Sequence, residues 1–68
     1  MNVVRRHRLE HGMTQAELGE KTGVSRNSVI SWESGSCPRP KRLLVLAAVL
    51  GVMPRELLQE LAERNKGV

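Results

Sequence analysis

Glycines at positions 12, 23, 35 and 51 stand eleven to sixteen residues apart, and between them the apolar residues recur at helical spacing. No segment alternates β-branched residues over the length of a strand, so the chain reads as all-α. Each interval has room for one short helix and a turn. A left-handed glycine is the commonest way to stop a helix, because the missing Cβ removes the penalty for positive φ.

The spacing predicts five helices in a single domain, 1–68. The first runs from about Asn2 to His11, with Val4, Arg8 and His11 on one side and Gly12 as its stop. Thr14-Gln15-Ala16-Glu17 has the form of a capping box, so the second begins there, buries Leu18 and ends near Thr22 before Gly23. Ser25 caps the third, whose apolar positions are Val29 and Trp32, with Gly35 closing it. Pro38 and Pro40 stiffen the loop 36–40. The fourth covers about Lys41–Leu50. Its run Leu43–Leu50 is apolar all round, which implies a central core helix, with or without contact to another chain. Pro54 suits the first position of a fifth helix carrying Leu57, Leu58 and Leu61 to about Arg64, with 65–68 expected to fray.

Sixty-eight residues bury only about 60% of the surface of the unfolded chain, which excludes a deep active site or a doubly wound sheet. Trp32 is the lone aromatic, so the core must be aliphatic. The net charge of +4 points to an anionic partner, nucleic acid first. All of the excess lies in 1–42, where Arg5, Arg6, Arg8, Lys21, Arg26, Arg39, Lys41 and Arg42 face Glu10, Glu17, Glu20 and Glu33.

The single Cys37 cannot form an intrachain disulfide or a Cys-rich zinc site, and a reducing, cytoplasmic setting is expected. The longest apolar run, eight residues, is too short for a membrane span, and no secretory signal is visible. His7 and His11 have a spacing that zinc ligands use, but no third ligand stands out, so no metal and no cofactor are expected. No nucleophile–base pair and no glycine-rich phosphate loop is apparent, so the chain is not read as an enzyme.

Two short helices joined by Thr22-Gly23-Val24-Ser25 form a helix-turn-helix pattern at about 14–34. With Arg8, Gly12-Met13-Thr14-Gln15, Leu18, Gly23-Val24-Ser25-Arg26, Val29, Trp32-Glu33, Gly35, Leu46-Ala47 and Leu50-Gly51-Val52, residues 4–58 resemble the lambda-repressor-like family, which includes Cro and the XRE-type regulators. The resemblance implies a compact five-helix fold whose third helix enters the DNA major groove. It implies base reading by Ser25, Arg26, Asn27 and Ser31, and backbone contacts from Gln15, Arg39 and Lys41. Thr14 and Ser28 complete the expected backbone set. It also implies a partly buried Arg8–Glu33 ion pair between helices one and three. Three positions depart from the family: Gly19 stands where Ala is usual, and His7 and Thr22 stand where aliphatic residues are preferred.

The chemistry agrees with those roles. Arg26 can donate twice to guanine O6 and N7, and Asn27 can pair with adenine N6 and N7. Ser31 is short and reads only at close range or through water. Ile30, if it faces the groove, could meet a thymine methyl. A domain this small reads half an operator, so a homodimer is expected, with Met53, Pro54, Leu58 and Leu61 as candidate interface residues. These four could equally cap the monomer core. The sequence thus reads as a cytoplasmic, sequence-specific double-stranded DNA-binding regulator, a repressor acting as a homodimer. The alternatives are an autoregulating antitoxin with a toxin partner, or a protein-interaction module that binds no DNA. RNA binding lacks the stacking aromatics it would use.

Overall fold

Asn2 starts the fold. In the computed structural model, which describes residues 2–66 and side chains through 63, its Oδ1 accepts the backbone N–H of Val4 at 2.8 Å and of Arg5 at 3.2 Å. Its Nδ2 donates to the carbonyl of Trp32 at 3.1 Å, so the cap of the first helix is also tied to the end of the third.

Five helices follow: α1 (Val3–Glu10), α2 (Gln15–Thr22), α3 (Arg26–Glu33), α4 (Pro40–Leu50) and α5 (Pro54–Lys66). No strand occurs among the described residues, and no helix among them is long and apolar enough to cross a membrane. The α5 helix continues through Lys66; the expectation of fraying at 67 and 68 falls outside the described residues.

The core is aliphatic with Trp32 at its margin. Val4, Leu18, Val29, Leu46, Leu50 and Leu57 are fully or almost fully buried. Each such side chain contributes about 1.5–3 kcal/mol through removal from water. α2 packs on α3, and α4 packs against both α2 and α5. One side of α4 (Leu43, Leu46, Ala47 and Leu50) lies in the core, while Leu44, Val45 and Ala48 on its other side are exposed. The apolar run therefore serves the core and leaves a surplus outside.

His11 is exposed, and its Nδ1 donates to the carbonyl of His7 at 2.9 Å. Leu61, offered as an interface residue, is 7% exposed and belongs to the core, because it follows Leu57 by one turn on the inward side of α5.

His7 is buried. Its Nε2 donates to Glu60 Oε1 at 3.2 Å, and its Nδ1 lies 3.6 Å from Glu10 Oε1. Arg6 Nη2 donates to the other oxygen of Glu60, so α1 and α5 are clasped by three side chains. Burial pushes the Glu60 carboxyl up, but hydrogen bonds and Coulombic attraction from His7 and Arg6 outweigh it and hold the group below its ordinary value. Thr22, the other polar departure, is buried with its hydroxyl donating to the carbonyls of Leu18 at 2.8 Å and Gly19 at 3.2 Å.

Candidate nucleic-acid interface

The start of α2 is fixed by the capping box expected from its sequence. Thr14 Oγ1 accepts the Glu17 N–H at 3.1 Å, and Glu17 Oε1 accepts the Thr14 N–H at 2.9 Å. Hydrogen bonds from the Thr14 backbone, then its side chain, hold the Glu17 carboxyl below its ordinary value. The next residue, Gln15, is half-buried, and its Nε2 donates to Glu33 Oε1 at 3.3 Å.

Glu33 is shared. Arg8 Nε donates to its Oε2 at 2.6 Å and Arg8 Nη2 to its Oε1 at 3.2 Å, while Arg8 Nη1 reaches the Met13 carbonyl at 2.8 Å. Arg8 is consumed by these contacts, which leaves it unsuited to a phosphate. The chain Met13–Arg8–Glu33–Gln15 joins α1, the end of α3 and the first turn of α2.

The turn between α2 and α3 is held as tightly. Gly23 has φ +76°, and the Val24 N–H donates to the Gly19 carbonyl at 2.9 Å. A Cβ at Gly19 would lie 2.9 Å from the Val24 carbonyl oxygen and 3.2 Å from Ser25 C, so the absence of the usual alanine goes with a close backbone crossing. Arg42, from the first turn of α4, donates Nη1 to the Thr22 carbonyl at 3.4 Å. This contact closes the C-terminal end of α2, where a cation suits the helix dipole. Sequence reasoning counted Arg42 only as charge; nothing in its spacing links it to Thr22.

Ser25 Oγ accepts the Ser28 N–H at 3.4 Å and caps α3. Arg26 and Asn27 occupy the first turn beyond that cap and are exposed, as is Ser31 one turn after Asn27. Val29 and Trp32 point into the core, which sends the 27/31 side of the helix outward. Ser28 and Ile30 are half-buried. Arg39 and Lys41 are exposed at the start of α4, with Arg39 as its N-cap. Among the described residues no side-chain hydrogen bond or ion pair engages Arg26, Asn27, Ser31, Arg39 or Lys41. The helix-turn-helix therefore presents amide and guanidinium donors at the amino end of α3, where the helix dipole also favours an anion.

Of the candidate interface residues, Met53 is 63% and Leu58 49% exposed, and Pro54 is half-buried. Among the described residues no group of three or more His, Cys, Asp or Glu is placed to hold a metal ion. Cys37 is exposed.

Comparison with known proteins agrees with this geometry. Residues 4–57 match the helix-turn-helix family. A 33-residue stretch is 48% identical to a protein of Methanothermobacter thermautotrophicus named as an uncharacterized HTH-type transcriptional regulator. That stretch spans 48% of this chain and 48% of the relative. No solved structure matches. With the match covering most of its length, the chain belongs to the helix-turn-helix family of the XRE type.

Proposed function

We propose that this protein is a sequence-specific double-stranded DNA-binding transcriptional regulator that inserts α3 into the major groove. The observation that carries this reading is the exposed, unengaged pair Arg26 and Asn27 on the first turn of α3, held next to a capped α2. The family is one of DNA-binding regulators rather than of enzymes.

In this reading Arg26 and Asn27 read bases directly, each worth about 1–3 kcal/mol of discrimination. Ser25 and Ser31 read at short range. Thr14, Gln15, Ser28, Arg39 and Lys41 hold the sugar-phosphate backbone and set the register of α3. Glu33 aims Gln15 by accepting one of its amide N–H groups. Two copies pair through Met53, Pro54 and Leu58, and the two recognition helices then meet half-sites about 34–36 Å apart. A dimer seated over a promoter represses by occupancy alone, in the cytoplasm where the duplex is.

Selection of bound sites from random duplex DNA at stated salt tests the reading. A palindromic consensus with guanine and adenine contacts is the expected result. Enrichment of no sequence, or equal binding to all sequences, overturns it.

A further inference from the structure

Beyond Lys41, the outer side of α4 is used by neither the core nor the proposed DNA contacts. Lys41, Leu44, Val45 and Ala48 follow one another at helical spacing along it, with Leu44 58% and Val45 36% exposed. We infer that this stripe is a docking surface for an acidic amphipathic helix of another protein.

Two features select that occupant. The stripe has the composition of a helix–helix contact: Leu44 and Val45 are exposed beside the small Ala48, which lets a partner backbone approach closely. The charges of its own segment have one sign. From Ser34 to Arg55 the chain has no Asp or Glu, yet carries Arg39, Lys41, Arg42 and Arg55. A helix that lays apolar residues over Leu44 and Val45 while offering glutamates to Lys41 satisfies both features. A second copy of this chain would bring the same cations and no carboxylate from this segment. Duplex DNA satisfies the cations but not the apolar side chains. A lipid surface is poorly matched, because α4 has its other side in the core and only two large side chains to insert. Because Lys41 also lies in the proposed backbone contacts, partner and duplex compete for it.

The test uses the full chain and a synthetic helical peptide of roughly sixteen residues, long enough to hold a helix, with a Leu/Ala stripe flanked by glutamates. A second peptide replaces those glutamates with lysines. In amide-shift titrations the acidic peptide is expected to perturb Leu44, Val45 and Ala48. Binding should weaken about tenfold or more with the lysine peptide and with Leu44→Asp, whose fold is checked by circular dichroism. Equal binding of both peptides, unchanged binding by Leu44→Asp, or shifts confined to other helices overturns the inference. So does dissociation of a wild-type dimer by Leu44→Asp in sedimentation, which gives the stripe to a second copy. Cosedimentation with anionic phosphatidylglycerol vesicles that Leu44→Asp abolishes gives it to lipid and also overturns the inference.

Discussion

Arg8 and Glu33 meet through two hydrogen bonds, with side chains only 10% and 7% exposed, so each is the other's charge partner in a nearly dry setting. Coulombic gain against desolvation makes the intact pair a modest contributor, but a lone survivor is costly. Glu33→Ala strands Arg8 and frees Gln15, and is expected to lose about 3–5 kcal/mol in urea unfolding. Replacing both with apolar residues of similar volume should cost less than either single change. A double-mutant cycle with additive losses would refute the coupling.

Arg26→Ala is expected to relax preference at one base pair by about 1–3 kcal/mol while changing non-specific affinity little. Lys41→Ala should lower the slope of log K against log salt by about one unit and leave preference intact. Binding isotherms on matched and mismatched duplexes at several salt concentrations separate the two roles. A uniform loss for Arg26→Ala, or a changed preference for Lys41→Ala, contradicts them.

Gly19→Ala tests the turn. Alanine gains about 1 kcal/mol of helix propensity. Its Cβ would nevertheless press on the Val24 carbonyl and Ser25, which are backbone and yield only by moving α3. Net destabilisation is expected in thermal unfolding, together with weaker DNA binding. A higher Tm would mean that the crossing has slack.

The clasp of α1 on α5 carries a pH signature. The fold lowers the Glu60 carboxyl below its ordinary 4.5, so the native state binds fewer protons there than the unfolded chain. Its contribution is complete above that ordinary value and fades as pH falls through the lowered native one. Because the site is partly solvated, the effect is about 0.5–1 kcal/mol. Glu60→Gln should lose that amount at neutral pH and flatten the acid limb of stability against pH. An unchanged acid limb would remove Glu60 from the clasp.

Leu58 and Leu61 should part company. Leu58→Glu is expected to yield a folded monomer by sedimentation, because the side chain is half outside. Leu61→Glu should unfold the chain by several kcal/mol, since it places a charge in the core. A wild-type monomer at high concentration would end the interface role of Leu58.

Much of this was legible beforehand because the signals were local. Thr14 and Glu17, Ser25, Gly23 and Gly51 act within one turn of themselves, and the helix boundaries follow from them. The exposure of Arg26, Asn27 and Ser31 follows from Val29 and Trp32 taking the inward side of α3. What the sequence hid were contacts between distant segments. Asn2 on the Trp32 carbonyl, Arg42 on Thr22 and His7 on Glu60 each join polar groups whose pairing leaves no periodic mark. Leu58 and Leu61 illustrate the remaining difficulty. Both are leucines on one helix, and a small rotation about its axis decides which is wet.

The crossing at Gly19 also bears on what this protein demands of its target. With the Val24 N–H bonded to the Gly19 carbonyl and no space for a Cβ between the two helices, α2 and α3 are expected to meet a groove as one unit. In the proposed complex, a mismatch of width or curvature would then fall on the double helix. Stiff and pliant base steps outside every side chain's reach should therefore be sorted by the energy it takes to bend them.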